Sequence, residues 1–189
     1  NPEFIDDVFE TVESATQRLE KVLSQLRKKQ VEQSSNSQTD IALTIKKVIE
    51  QSNLSLPAVQ FEQQGDCSTF IDNESFHSVI HHLIQNAQEA TESSGWVKVS
   101  IVEKQRVIRI IIEDNGCGMS EEFIKNRLFR PFDTTKGNAG MGIGVFEAKQ
   151  FFENMAGIIK VTSTPKKGTM FTIDIPKRTI GAINGQNLL

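Results

Sequence analysis

The stretch from Ile108 to Gly144 constrains this chain more than any other, because it holds two glycine clusters separated by an aromatic turn. The first cluster, Ile110-Ile111-Ile112-Glu113-Asp114-Asn115-Gly116-Cys117-Gly118-Met119, reads as an apolar strand running into an acidic, glycine-broken loop. The second, Gly140-Met141-Gly142-Ile143-Gly144, opens an amphipathic segment, Val145 to Met155, with helical periodicity. Between them, Arg127-Leu128-Phe129-Arg130-Pro131-Phe132-Asp133-Thr134-Thr135-Lys136 is an aromatic turn followed by a polar run. A strand ending in a lone carboxylate and a glycine loop feeding a helix start together suggest a nucleotide pocket. The carboxylate can accept from a base amine, and the helix start can hold phosphates. Each feature alone has a plainer reading, since turns need glycine wherever φ is positive and glycine loops are common.

Composition narrows the class. The 189 residues are 38% hydrophobic and 24% charged, as expected for a soluble globular domain with an extra element. A net charge of -3 argues against a nucleic-acid surface, while a phosphate ligand stays open because it needs only local donors. No apolar run approaches the roughly 20 residues that cross a bilayer, and no signal peptide is visible. The chain begins with Asn1 and not Met, so a piece of a longer protein is expected, reaching a membrane only through N-terminal segments absent here. Cys67 and Cys117 show neither metal spacing nor a disulfide framework, which points to a reduced, cytoplasmic setting.

Along the chain, Asn1-Pro2-Glu3 is a helix start, and Ile5, Val8, Val12, Ala15, Leu19, Val22 and Leu26 follow as a heptad seam. Phe4, Phe9 and Leu23 widen that stripe toward a bundle. Residues 1–30 read as a dimerisation helix forming a homodimer through residues 5–26, and polar residues 31–39 read as a linker. Asp40 caps a second helix; Val59 to Glu62 alternates as a strand; Asp72 caps a long helix to about Thr91. Strands Trp96–Val102 and Val107–Glu113 form a hairpin, Ser120 caps a short helix, and Gly157 is a C-cap. Strands Ile158–Ser163 and Thr169–Ile175 pair before Pro176 ends the sheet. The prediction is an α+β domain over residues 40–177, a mixed sheet covered by helices, with a loosely ordered tail at 178–189.

On the long helix, His82, Asn86 and Glu89 occupy neighbouring turns opposite the apolar stripe. An amide oxygen and a carboxylate there suit Mg²⁺ held between protein and phosphates, although a solvated face carries the same residue types. The asparagine helix, the Asp-x-Gly-x-Gly loop, the Phe-x-Pro-Phe turn and the Gly-x-Gly-Ile-Gly loop, in that order, resemble the nucleotide boxes of the histidine-kinase ATP-binding domain. Gly168-Thr169-Met170-Phe171-Thr172-Ile173 is similar to that domain's final strand. The family is of Bergerat type, a two-layer α/β sandwich shared with gyrase, Hsp90-type chaperones and mismatch-repair ATPases. Asn1-Pro2-Glu3-Phe4 and Gly-Met-Gly-Ile-Gly-Val-Phe-Glu-Ala are further similar to kinases of the PEP-CTERM (exosortase-linked) system. The N-terminal helix resembles the second helix of the family's dimerisation and phosphotransfer hairpin, the first being absent.

The resemblance implies ATP and Mg²⁺ as ligands and a response-regulator receiver domain as partner. It implies that Asp114 accepts from the adenine amine with Thr169 nearby, directly or through water, and that Asn86 ligates Mg²⁺. Gly116 and Gly118 would let the backbone approach the base. Gly140, Gly142, Ile143 and Gly144 would do so at the phosphates, and Lys136 would contact phosphate from a lid at Asp133 to Ala139. Two departures bear on mechanism. Glu89 stands where many members carry a lysine-like donor, so it supports the metal's waters at most. His82 stands where hydrolysing members carry a water-activating Glu, which favours transfer to a protein acceptor over hydrolysis. None of His77, His81 and His82 is followed by an acid, as the family's phosphoacceptor is, so this chain is expected to bind ATP without autophosphorylating. The alternatives are a Bergerat-type ATPase, a non-catalytic dimerisation and regulatory module, and a serine kinase of the anti-sigma type.

Overall fold

The computed structural model describes residues 37–53, 55–131 and 143–178. They form β1 (Ser37–Asp40), α1 (Ile41–Ser52), β2 (Val59–Gln64), β3 (Ser68–Ile71), α2 (Asn73–Ala90), β4 (Val97–Glu103) and β5 (Val107–Asp114). After these come α3 (Glu121–Asn126), α4 (Gly144–Asn154), β6 (Ile158–Thr164) and β7 (Gly168–Pro176). The helix and seam expected within residues 1–30 lie outside the described residues.

Period-two patterning builds the main sheet. Its strand order is β2-β4-β5-β7-β6, with β2 and β4 parallel and every other pair antiparallel. Along β5, Ile108, Ile110 and Ile112 are buried, and β7 answers with Phe171, Ile173 and Ile175. These side chains join one core with Ile41, Ile45 and Val48 of α1, Phe76, Ile80, Leu83 and Ile84 of α2, and Ala148 and Phe152 of α4. The Phe152 ring meets Phe76 edge-on at 6.5 Å and Phe151 edge-on at 5.3 Å. The alternate residues make a polar outer face, where Arg109 grips Asp174 with two bonds of 2.6 and 2.7 Å and Lys98 meets Glu62 at 2.8 Å. The result is the expected two-layer α/β sandwich.

Helix starts fall where short polar side chains can satisfy the free backbone N–H groups. Asp40 accepts from Leu43 N at 3.2 Å, Asp72 from Glu74 N and Ser75 N at 3.0 and 3.1 Å, and Ser120 from Phe123 N at 3.2 Å. The end of α4 differs from expectation. The left-handed residue there is Ala156, at φ 59°, and not Gly157. Ala156 N donates to Glu153 O at 3.0 Å and Gly157 N to Phe152 O at 2.8 Å, the two bonds of a Schellman motif. Gly157 is required for space instead, since a Cβ on it would lie 2.9 Å from Asp174 O.

Residues 37–39, placed by their polarity in a linker, belong instead to β1, which pairs antiparallel with β3 from Ser37↔Ile71 to Asp40↔Ser68. Neither strand shows a clear apolar alternation; each is a strand because the other supplies its backbone partners. Thr69 then ties this ribbon to the end of β7, donating to Pro176 O at 3.1 Å and accepting from Arg178 N at 3.0 Å. Arg178, expected to begin the loose tail, also donates to Met155 O at 3.2 Å and so is tied to the body.

Candidate nucleotide site

The inward alternation of three neighbouring strands ends in a polar residue each time. Ile108-Ile110-Ile112 gives way to Asp114, Ile159-Val161 to Ser163, and Thr169 precedes Phe171-Ile173-Ile175. The register sets these three side by side: Asp114 pairs with Thr169, and Thr169 with Ser163. Asp114 is 5% exposed and Thr169 7%. A carboxylate in a row that the pattern reserves for apolar side chains costs folding energy, so a ligand is the natural reason for it.

Asp114 Oδ1 accepts from Gly116 N at 2.8 Å and from Thr169 N at 3.2 Å. Among the described residues no donor meets Oδ2, which leaves one carboxylate oxygen for a partner from outside. Burial pushes the Asp114 carboxyl above its ordinary range; the two backbone donors oppose that shift and Glu113 adds to it. Ser163 Oγ accepts from Met119 N at 2.8 Å, donates to Gly168 O at 2.8 Å, and lies 3.0 Å from Thr169 Oγ1. The loop after β5 is clamped on both sides, with Cys117 N donating to Ala90 O at 2.8 Å and Lys166 N to Cys117 O at 2.7 Å. Its glycines serve this clamp. A Cβ on Gly116 would stand 2.3 Å from Ala90 O, and one on Gly118, where φ is +63°, would stand 2.0 Å from Thr164 O.

The other end of the site is the start of α4. Ile143 precedes it with no capping side chain, and Glu147 N donates to Ile143 O at 2.9 Å. Gly144 faces His82, whose Cβ would lie 3.2 Å from a Cβ placed on that glycine. His82 Nδ1 is buried without a hydrogen bond, 3.9 Å from Glu147 Oε2. His82, Asn86 and Ala90 are spaced i, i+4, i+8 on α2 and so share a face. Because His82 touches the start of α4 and the Ala90 carbonyl holds the Gly116–Cys117 loop, the half-buried Asn86 lies between that loop and the start of α4. At a rise of 1.5 Å per residue the two ends stand roughly 12 Å apart along α2. Glu89 is exposed and accepts from Gln85 Nε2 at 2.8 Å.

Comparisons with known proteins bear on the family and the fold. The family model described as "Histidine kinase-, DNA gyrase B-, and HSP90-like ATPase" matches residues 71–179, more than half of the chain. The chain belongs to this family. Sporulation kinase A of Bacillus subtilis (strain 168) is 32% identical over 180 residues, covering 90% of this chain. That match spans 29% of the relative's own length. The mycobacterial sensor histidine kinase MprB superposes with a TM-score of 0.67 at 19% identity, covering 77% of this chain and 99% of that one. The catalytic domain of histidine kinase ThkA gives 0.64 at 24%, covering 75% and 95%. At these identities the two structures establish a shared fold, that of the histidine-kinase ATPase domain.

Within the ATPase domain, Asp114, Gly116, Gly118 and Thr169 are brought together at one end, and His82, Ile143 and Gly144 at the other. Lys136, Gly140 and Gly142, with Phe132 and the lid at 133–139, lie outside the described residues. Phe129 packs on the core beneath Lys149 Nζ, 4.9 Å from the ring centre. His77 and His81 stack in parallel at 6.5 Å, and among the described residues no three His, Cys, Asp or Glu side chains gather to hold a metal. Sequence reasoning missed Ser163. Its signal was an inward-facing serine closing the Ile159-Val161 alternation, but that becomes visible only once β6 is registered on β7.

Proposed function

We propose that this chain binds ATP along α2, with the base at the Asp114–Thr169 end and the phosphates at the start of α4. On this reading it is the catalytic part of a sensor histidine kinase. The observation that carries it is the buried carboxylate at one end of a helix face whose other end meets an open helix start. An acceptor suits an exocyclic amine, while backbone N–H groups and the helix dipole suit phosphates. Gly140, Gly142 and Lys136 complete the phosphate end on this reading, with Gly116 and Gly118 shaping the base end.

Asn86 is our candidate Mg²⁺ ligand. Its amide carries one neutral oxygen, and among the described residues no acidic cluster gathers to hold a metal, which fits an ion that arrives on the phosphates and keeps most of its waters. Transfer breaks the bond between the γ-phosphorus and the bridging oxygen, releases ADP, and forms a phosphorus–nitrogen bond on an acceptor imidazole. His82 occupies the place of a water-activating carboxylate, so hydrolysis is slow; Glu89 stays at the margin, supporting bound water.

We further propose that residues 1–30 are the second helix of the dimerisation hairpin, 31–36 the connection, and 37–178 the ATP-binding body, with a tail beyond. The match to sporulation kinase A supports this, because a match over 90% of the chain extends ahead of residue 37. A homodimer through residues 5–26 and a receiver-domain partner follow from the same reading. Among the described residues no helix is long and apolar enough to cross a membrane, and use of the cellular ATP pool places this part in the cytoplasm.

Incubation with γ-labelled ATP and Mg²⁺ tests the whole. The chain alone should bind nucleotide and incorporate no alkali-stable label, whereas a separate first hairpin helix carrying an acceptor histidine should become labelled when added. Label on this chain itself, or brisk phosphate release without an acceptor, would refute it.

A further inference from the structure

An asparagine followed by glycine is the dipeptide whose backbone most readily attacks its own side chain, because glycine has no Cβ to crowd the amide nitrogen. The sequence places one in the loop after β5, at Asn115–Gly116. In that reaction the Gly116 nitrogen attacks Asn115 Cγ. The N–Cγ bond forms, the Cγ–Nδ2 bond breaks, and the Gly116 proton leaves with Nδ2 as ammonia. Water then opens the cyclic imide. Opening at Cγ gives an ordinary aspartate. Opening at the Asn115 backbone carbonyl gives isoaspartate, whose main chain runs through Cβ and Cγ and is longer by a methylene.

In this fold both reacting groups are already engaged, each by a different partner. Asn115 Oδ1 accepts from Trp96 N at 2.7 Å, and it is seated so closely that a Cβ on Gly95 would lie 2.6 Å from it. The backbone beside it is pinned as well, with Asn115 N donating to Trp96 O at 3.3 Å and Cys117 N to Ala90 O at 2.8 Å. The attacking nitrogen donates its proton to Asp114 Oδ1 at 2.8 Å. Attack needs that nitrogen without its proton. A carboxylate is too weak a base to take a proton from a backbone amide, and its charge opposes an anion on the neighbouring nitrogen. Ring closure therefore breaks two hydrogen bonds, one of them charge-assisted. We propose that Asn115–Gly116 is a latent deamidation site: the folded loop holds imide formation shut, and opening of the loop lets it proceed to aspartate or isoaspartate at position 115. Asn115 is exposed, so water for the second step is at hand. Isoaspartate undoes the clamp permanently. An extra methylene between Asp114 and Gly116 cannot keep Asp114 Oδ1 on both Gly116 N and Thr169 N while Cys117 N stays on Ala90 O.

Incubation of the chain at mildly alkaline pH, followed by peptide mapping with mass spectrometry and fragmentation that separates aspartate from isoaspartate, tests this. The folded chain should deamidate at Asn115 at least about thirtyfold more slowly than the same chain unfolded in guanidinium chloride, the factor for two hydrogen bonds that must break. Asp114→Ala removes the acceptor from Gly116 N and should raise the folded-chain rate at Asn115 by about tenfold or more. Asp114→Asn, whose amide oxygen still accepts from Gly116 N, should stay near the wild-type rate. Circular dichroism establishes that each variant is folded before its rate is read. Should Asp114→Ala fail to fold, the comparison of folded and unfolded wild type decides alone. The fraction carrying isoaspartate should melt at lower urea than the unmodified chain. A folded wild type that deamidates at Asn115 as fast as the unfolded chain, or a folded Asp114→Ala that keeps the wild-type rate, overturns the proposal. An unchanged urea midpoint for the isoaspartate fraction overturns the loss of the clamp. Nucleotide binding enters none of these readings, so their outcome is separate from that of the ATP assignment.

Discussion

Asp114→Asn separates binding from folding at this site. The amide oxygen can take the place of Oδ1 and still accept from Gly116 N and Thr169 N, now at 2.8 and 3.2 Å. The amide nitrogen then replaces Oδ2, presenting donors where the carboxylate presented an acceptor. An exocyclic amine loses one charge-assisted bond and faces a like donor, together about 2–4 kcal/mol, or roughly 30- to 1,000-fold in Kd. The fold should not suffer, since burial holds the Asp114 carboxyl above its ordinary range and the mutation removes a desolvated charge. Because the folded pKa is raised, the native state keeps its proton to higher pH than the unfolded chain does. Wild-type stability therefore falls as pH rises from the ordinary carboxylate range through the raised folded value. Urea melts of wild type and Asp114→Asn should agree at low pH and separate across that window in the mutant's favour. Calorimetry with a non-hydrolysable ATP analogue reads the affinity. An analogue Kd within threefold of wild type, or a mutant that melts earlier at neutral pH, would refute this account of Asp114.

Gly118→Ala combines a left-handed backbone at φ +63° with a Cβ 2.0 Å from Thr164 O; a loss of about 2–5 kcal/mol in urea denaturation is expected, and less than 1 would count against the clamp. Arg109→Ala on the outer face should cost only about 1 kcal/mol, because the Arg109 and Asp174 side chains keep 34% and 23% of their exposure. Arg109 holds Asp174 below the usual carboxylate range, so this contribution is present above the unfolded pKa and lost as pH falls through the lowered folded value. Melts of both proteins across acid pH should converge.

Much of this architecture was legible because local chemistry and global fold agree. Asp40, Asp72 and Ser120 mark helix starts that need no tertiary information, and the isoleucine alternation of β5 declares its buried face. What was not legible depends on contacts distant in sequence. β1 and β3 lack an apolar pattern and exist through their pairing. Ala156 takes a left-handed turn that glycine would be expected to fill, because the following Gly157 is needed against the Asp174 carbonyl. Gln88 looks like one more polar helix residue, yet it is buried and its amide reaches the carbonyls of Ser52, Ser55 and Pro57 at 3.2, 3.2 and 2.9 Å. Ser163 could not be told from a surface serine until the β6–β7 register set it beside Thr169. Asp114 stood out as a candidate site residue, but not as the end of a polar row that continues through Thr169 to Ser163.

The proposed site has both its ends on one face of α2, which makes that helix a ruler. Its graduations are residues 82, 86 and 90, and the distance it measures cannot vary continuously. One inserted residue would turn everything beyond it by about 100° and carry Asn86 off the face, whereas a whole turn would lengthen the gap by about 5.4 Å with the face intact. Such a site can drift in sequence at nearly every exposed position of α2 and keep its dimensions. To accept a longer or shorter ligand it must change by a full helical turn.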